Sequence, residues 1–196
     1  LVLDATCRIA VFPPAISLPA VAAAAADSNI QWGGQNIHQA EEGAYTGDIS
    51  AAMLEDIGCR FVLCGHSERR LYYGETDAQV AEKAAIAWQH RLTPVICVGE
   101  TLTEREAGRA QEVVSRQLRG ALASWDGKQE LVIAYEPVWA IGTGLTATPA
   151  DAQEMSALLR QEIAASFGSA PAAATPLLYG GSVKPDNTAA LLACAD

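Results

Sequence analysis

The chain has 196 residues, of which half are apolar and 18% are charged, so it has enough apolar material for a sizeable core and is not predicted to be disordered. Thirteen Lys and Arg residues stand against 23 Asp and Glu residues, which gives a formal net charge of −10. A protein that binds nucleic acid or an anionic membrane surface needs a basic face, and none is evident. An anionic substrate would have to be held by backbone N–H groups or a few local charges.

The five cysteines form no Cys-x-x-Cys pair, and most of them stand in apolar runs: Cys7, Cys59, Cys64, Cys97 and Cys194. This pattern favours reduced, buried thiols in a cytoplasmic protein. The three histidines show no ligand spacing with them, so no metal site is predicted. There is no run of eighteen apolar residues and no signal peptide, and a start at Leu1 rather than Met predicts that upstream sequence is missing.

Six short apolar runs recur at a mean spacing of about 34 residues, since the first and last begin 168 residues apart over five intervals. The runs are residues 8–12, 29–32, 60–64, 94–98, 131–135 and 176–179. They are continuous rather than alternating, which predicts strands buried on both faces. Apolar stripes between them predict helices.

Helices are predicted over 77–90 and 111–122, and a third begins after Thr148, carries Pro149 in its first turn and ends at Gly168. The alternation of strands and helices predicts an α/β fold with a parallel sheet and no domain boundary. A doubly wound open sheet and a (β/α)8 barrel both fit this pattern. The regular spacing favours the barrel, although six units are too few to close one of eight.

In both architectures the functional residues follow the strands. Glu136 follows the fifth run and precedes Pro137 among apolar neighbours, where partial desolvation makes a carboxylate a better base. The alternative is a helix-capping or salt-bridged glutamate. His66 stands between a strand and a helix start, which favours a neutral ring that can donate a hydrogen bond. The alternative is a loop histidine that the backbone satisfies.

Other candidates follow the same strands. Glu68, Arg69 and Arg70 form a mixed-charge cluster, which is either a set of solvated ion pairs or part of a site or interface. The glycine-rich segments 142–144 and 180–182 offer unencumbered N–H groups that suit a phosphate, although two flexible turns would look the same.

The spacing of Gly142, Gly144 and Ala147 also fits a dinucleotide-binding fingerprint. We reject that interpretation because the fingerprint should follow its strand directly, and residues 136–141 intervene. Trp139 in that interval is bulky and apolar for a loop. A loop with an apolar middle and a glycine end is a candidate lid, though a plain packed loop is as common.

Taken together, these segments closely resemble the triosephosphate isomerase family. The resemblance covers essentially the whole chain in family order, and it rests on residues 65–70, 134–144 and 179–183, with support from 35–36, 43–47 and 97–100. The motif at 134–144 is close to diagnostic. The resemblance implies a (β/α)8 TIM barrel, here incomplete, with six βα units that match the family's strands two to seven.

The resemblance implies an intramolecular aldose-ketose isomerase that interconverts dihydroxyacetone phosphate and D-glyceraldehyde 3-phosphate. The reaction passes through an enediolate, needs no cofactor and belongs to glycolysis and gluconeogenesis. By the same resemblance, Glu136 is the base that moves the proton, and His66, as neutral imidazole, polarises the carbonyl. Gly142 and Ser182 would bind the phosphate through their N–H groups.

The resemblance further implies supporting roles for Glu68 and Cys97 and a closing lid over residues 137–147. The lid's site residues are Pro137, Val138, Trp139, Ala140, Ile141, Gly142, Thr143 and Gly144. Residues 35–47 would insert into a partner subunit, with Tyr45 and Thr46 near the tip. A homodimer of the full-length protein is therefore expected, in the cytoplasm and without nucleic-acid or membrane partners.

The chain departs from the family pattern at both ends. It has no counterpart of the family's first strand, which carries an asparagine and a lysine, or of the eighth strand with its Gly-Gly phosphate loop, and Leu145 replaces a usual lysine. We expect one domain over 1–196, truncated at both ends and inactive as these 196 residues alone, because a main cation is missing. The alternatives are a remnant with only an interface or binding role, and another phosphate-binding barrel isomerase.

Overall fold

The computed structural model describes residues 7–196, and residues 1–6 of the predicted domain lie outside the described residues. Its strands are β1 (Ile9–Val11), β2 (Ile30–Gly34), β3 (Phe61–Cys64), β4 (Thr93–Val98), β5 (Val132–Tyr135) and β6 (Leu177–Tyr179). All pair in parallel, in the order β1-β2-β3-β4-β5-β6. A doubly wound sheet reverses its strand order partway, and this sheet does not, so the open-sheet alternative is excluded.

Helices connect the strands. They are α1 (Leu18–Ala25), α2 (Ala51–Asp56), α3 (Ser67–Tyr73), α4 (Asp77–Gln89), α5 (Leu102–Glu106), α6 (Ala110–Ala121), α7 (Pro149–Phe167), α8 (Ser169–Ala174) and α9 (Thr188–Leu192), with 3₁₀ turns at Ala15–Ser17 and Val138–Ala140. The predicted start of α7 is confirmed, because Thr148 Oγ1 accepts the Asp151 N–H and Asp151 Oδ2 accepts the Thr148 N–H. Among the helices of residues 7–196, none has the length and apolar character that a membrane crossing needs.

The sheet is strongly curled. Arg8, next to β1, forms an ion pair of 2.7 Å with Glu130, next to β5. In a flat sheet, four strand spacings of about 4.8 Å would place these positions ~19 Å apart. Phe12 and Phe61 also meet on the concave side, with ring centroids 6.4 Å apart. The strands therefore form part of a barrel wall, which confirms the predicted incomplete α/β barrel.

Successive residues of the central strands face opposite sides of this wall. The concave side carries a small buried apolar cluster of Phe61, Val95, Cys97, Val132 and Ala134. The intervening strand residues pack against the helices in the main core: Val62, Cys64, Ile96, Val98, Ile133 and Tyr135. Burial in this core raises the pKa of the Cys64 thiol to about 12.

The prediction of strands buried on both faces is wrong for β1 and β6. Val11 is 37% exposed and Leu178 is 47% exposed, whereas β4 and β5 are buried throughout. The reason is position, because within residues 7–196 β1 and β6 pair with a strand on one side only. The prediction of buried thiols also fails for Cys7, which is exposed, and for Cys194, which is partly exposed, although all five cysteines are unpaired.

A charged cluster joins three elements on the outer surface. His90, which ends α4, faces Glu55 of α2 through Nδ1 at 2.8 Å and Glu41 through Nε2 at 2.9 Å. Arg91, which adopts a left-handed φ of 57°, pairs with Glu55 as well. The hydrogen bond that His90 donates to the Glu55 carboxylate is the largest cause that raises the pKa of His90, against its partial burial and with help from Glu41.

This cluster predicts a pH-dependent stability. Because the pKa of His90 is raised above its ordinary value of 6.5, its stabilising contribution is fully present below pH 6.5 and is lost as the pH rises through the folded-state value. We expect the unfolding free-energy difference between the natural protein and His90→Asn to shrink between pH 6 and pH 8.5. Urea unfolding at several pH values measures this difference, and a constant difference would contradict the prediction.

Candidate active site

The carboxyl ends of the strands collect the predicted site residues at one edge of the sheet. His66 comes two residues after β3, Glu136 follows β5 directly, and Gly180 follows β6 directly. Because parallel strands end on the same side, His66 and Glu136 meet although 70 positions separate them, and His66 Nε2 lies 3.1 Å from Glu136 Oε1. The structure thus brings together the two residues for which catalytic roles were predicted.

The Glu136 carboxylate is buried and hydrogen-bonded. The residue is 5% exposed, and its Oε2 accepts the backbone N–H of Ser67 at 2.8 Å, while Oε1 faces His66. Its own N–H donates to the Val98 carbonyl at 2.8 Å, which ties it to the end of β4. A carboxylate with so little water around it depends on these donors, since an unpaired buried charge is costly.

His66 is the N-cap of α3, and this position indicates which ring nitrogen carries the proton. Its Nδ1 accepts the backbone N–H of Glu68 at 3.3 Å, so Nδ1 is the unprotonated nitrogen of a neutral ring. The proton of that ring is then on Nε2, which faces Glu136. The site therefore holds a carboxylate acceptor and an imidazole N–H donor side by side.

Cys97 lies beneath these two groups on the concave side of β4. Burial, with the negative charge of Glu136 as the next cause, raises the pKa of the Cys97 thiol well above its ordinary value. The thiol is therefore neutral, and beside a carboxylate it is a weak hydrogen-bond donor. This neighbourhood is consistent with the supporting position predicted for it.

The three charged residues at 68–70 lie in different environments. The Glu68 carboxylate is mostly exposed, with Oε2 3.9 Å from His66 Nδ1. Arg69 pairs with Glu75 at 2.8 Å, and Arg70 pairs with Asp77 at 2.5 Å while donating to the Gly65 carbonyl. The two arginines therefore fasten the loop after β3 to the start of α4.

The first part of the predicted lid is held by a buried acid. Glu100 has no exposed surface, and it accepts the indole N–H of Trp139 at 2.8 Å and the hydroxyl of Tyr135 at 3.1 Å. Arg105 pairs with Glu100 at 3.1 Å, and its guanidinium lies over the Trp139 ring. Burial, followed by the Glu100 charge, raises the pKa of Tyr135. The sequence placed Glu100 after a strand but gave it no role.

The predicted phosphate-binding residues are Gly142, in the second half of the lid, and Ser182, in the loop after β6. Gly142 and Gly144 are exposed and adopt left-handed φ values of 69° and 83°, which favour glycine. Ser182 Oγ donates to the Ala140 carbonyl at 3.0 Å, so the loop after β6 contacts the lid. The Tyr179 hydroxyl is buried there, and this burial is the largest cause that raises its pKa, against a backbone hydrogen bond from Ala147 that lowers it.

The segment predicted to contact a partner subunit, residues 35–47, stands beside the site. Tyr45 is half exposed and stacks on the ring of His38, with centroids 3.7 Å apart, while Thr46 is exposed. Asn36 accepts a hydrogen bond from Lys83 at 2.7 Å. A cavity of about 620 Å³ opens between this segment and α3, and His66 forms part of its wall.

A buried ion pair that the sequence did not predict supports this region. Glu75 and Lys83 are almost fully buried, with Lys83 Nζ 2.6 Å from Glu75 Oε2, and the other Glu75 oxygen accepts the Gly65 N–H at 2.9 Å. Burial alone would raise the pKa of Glu75, but the hydrogen bonds from Lys83 and Arg69 outweigh it and lower the pKa. The periodicity of α4 offered one signal, since Lys83 shares the apolar stripe.

Among residues 7–196, no three His, Cys, Asp or Glu side chains lie together in a way that could hold a metal ion.

Comparison with known proteins agrees with the geometry. A family model described as triosephosphate isomerase matches residues 2–196. A curated triosephosphate isomerase from Moorella thermoacetica is 52% identical over 198 residues, which cover 100% of this chain and 79% of the relative. Those from Chloroflexus aurantiacus and Delftia acidovorans are 52% and 54% identical, over 95% and 96% of this chain and 75% of each relative.

The buried pair gives a stability prediction. We expect Lys83→Met to lower the free energy of unfolding by about 3–5 kcal/mol, because it leaves the Glu75 charge buried with Arg69 as its remaining cationic partner. The double variant Lys83→Met/Glu75→Gln should recover part of that loss, since it removes the stranded charge. Urea unfolding at pH 7 tests both, and equal losses in the single and double variants would refute the account.

Proposed function

The chain belongs to the triosephosphate isomerase family, and from that premise we propose that Glu136 and His66 are the residues that carry out its reaction. The family interconverts dihydroxyacetone phosphate and glyceraldehyde 3-phosphate, a step of glycolysis, and the chain is an isomerase of this kind. The single observation that supports the residue assignment is the contact between a buried carboxylate and a neutral imidazole N–H, 3.1 Å apart.

In the proposed mechanism, Glu136 takes a proton from one carbon of the substrate and returns it to the neighbouring carbon. To do so, the hydrogen bond that Oε2 accepts from the Ser67 N–H must break, which leaves that oxygen available to take the proton. The intermediate between the two transfers is an enediolate.

His66 acts on the oxygens of the substrate. Its Nε2–H points toward the carboxylate, so a substrate placed between the two groups would receive this hydrogen bond on its carbonyl oxygen. A neutral donor stabilises the charge that develops on that oxygen and can pass a proton between the two substrate oxygens. Two neighbours support this pair. Cys97 lies beside Glu136 on the concave side of the sheet, and Glu68, at the start of α3, lies beside His66.

The substrate phosphate is bound by backbone N–H groups of Gly142 and Ser182, as the lid over residues 137–147 closes. Support comes from the exposed glycines of the lid and from the bond that joins Ser182 to Ala140. The closed lid excludes water, which strengthens the electrostatic interactions around the enediolate and protects it from loss of phosphate. The chain's charge of −10 offers no general attraction for a phosphate or a nucleic acid, so such local donors are needed.

The assignment of the base is tested by Glu136→Gln in the protein expressed at the full length of its gene. We expect kcat to fall by about 10²–10⁴-fold, because the amide keeps the shape but cannot take a proton. The measurements are the isomerisation rate and the uptake of solvent deuterium into the substrate, which reports proton transfer itself. Glu112→Gln on the exposed start of α6 is the matched control and should leave both unchanged. Full activity in Glu136→Gln would overturn the proposal.

We also propose that the working protein is a homodimer in the cytoplasm. The half-exposed Tyr45, the exposed Tyr72 and Tyr73 on α3, and the cavity between them support an interface of this kind. A second copy's segment 35–47 would fill that cavity and complete the wall beside His66. The five unpaired cysteines fit a reducing compartment.

The dimer is tested by Tyr45→Asp, which places a charge in the proposed contact. We expect the natural protein to show twice the monomer mass in light scattering, and the variant to be monomeric with a lower kcat. Leu102→Asp, at a position that is 43% exposed against 47% for Tyr45, is the control and should remain dimeric. A monomeric natural protein, or a dimeric Tyr45→Asp variant, would contradict the assignment.

A further inference from the structure

A buried amide side chain on α6 is bound to the end of β4. Gln117 is almost fully buried, and its Oε1 accepts the Gly99 N–H at 2.7 Å while its Nε2 donates to the Gly99 carbonyl at 3.1 Å. Both backbone groups of one residue are thus bound by one side chain, as a neighbouring strand would bind them. Gly99 directly follows β4, at the point where the ladder ends and its backbone groups need other partners.

Gly99 in turn is in close contact with the residue proposed as the base. A Cβ atom at Gly99 would lie 1.7 Å from the backbone carbonyl oxygen of Glu136 and 2.7 Å from its carbonyl carbon. The preceding residue, Val98, accepts the Glu136 N–H at 2.8 Å. The main chain of Glu136 therefore rests against Val98 and Gly99, and its position depends on where these two residues lie.

We propose that Gln117 is a positioning residue for the base: its amide fixes the Gly99 backbone, and that backbone sets the place of the Glu136 main chain. The proposal rests on the proposed role of Glu136. Gln117 suits this task because one amide offers a donor and an acceptor without charge, so the contact does not change as the pH varies. The cavity of about 240 Å³ beside Glu136 is lined by Gly99 and Gln117, so the loop could shift into it once the amide is lost.

The consequence for catalysis follows from the precision that proton transfer needs. A base misplaced by about 1 Å can cost ~10²-fold in rate. In the proposed function the phosphate is bound by other loops, those of Gly142 and Ser182, whereas the side-chain hydrogen bonds of Gln117 in the described structure go to Gly99. Loss of the amide should therefore lower kcat and leave KM nearly unchanged.

The test is Gln117→Met in the protein at the full length of its gene, since methionine keeps the length of the side chain without the amide. We expect kcat to fall at least about tenfold with KM within about twofold, and the isotope effect on kcat with carbon-deuterated substrate to rise. That rise occurs because proton transfer becomes a slower part of the cycle. Val114→Ala, a buried residue of the same helix, is the matched control, and it should lower the melting temperature with kcat and the isotope effect unchanged.

The outcomes separate this inference from the proposed function. If Gln117→Met and Val114→Ala both keep kcat and the isotope effect, while Glu136→Gln loses activity, Gln117 has a structural role only and the inference is wrong. If Glu136→Gln keeps activity, the proposed base is wrong instead. If Gln117→Met does not fold, Gln117→Glu replaces it, because its carboxylate keeps the acceptor for Gly99 N–H; a lower kcat with unchanged KM supports the inference, and an unchanged kcat overturns it.

Discussion

The buried carboxylate of Glu136 is the constraint around which the site is arranged. An acid that is 5% exposed needs donors close at hand, and the start of α3 supplies them against the end of β5. The Ser67 N–H and the His66 ring meet this need. The parallel sheet makes the meeting possible, because it places the ends of β3, β4 and β5 side by side.

Behind this pair, the strand ends are fixed by side chains from the helices. Glu75 accepts the Gly65 N–H, Gln117 binds both backbone groups of Gly99, and Glu100 holds Trp139 of the lid. These groups are polar and buried, so each one costs stability unless all its bonds form. Burial also fixes the geometry of these groups, since an arrangement with only some of the hydrogen bonds formed is unfavourable. One sheet edge thereby combines buried side-chain hydrogen bonds near the base with exposed glycines in the lid.

Much of this arrangement could be predicted from the sequence, because it follows from local patterns. The start of α7 at Thr148 and the end of α4 near His90 depend on neighbours within four residues, and both were predicted. The placement of His66 and Glu136 at the same edge of the sheet followed from their positions after parallel strands. Gln117 was not predicted, because its contact with Gly99 depends on how α6 packs on the sheet. The exposure of β1 and β6 was missed since an apolar run does not reveal which strand lacks a neighbour.

The two most deeply buried thiols, Cys64 and Cys97, can report when the structure opens locally. Cys64 points into the layer between sheet and helices, and Cys97 points to the concave side, so each samples a different part of the interior. Both stay protonated and out of contact with solvent, whereas Cys7 is accessible. A thiol reagent would therefore modify Cys7 at once, and it would modify Cys64 and Cys97 only when the structure opens around them. Comparing those two slow rates would show whether the helix layer and the barrel interior open together or one before the other.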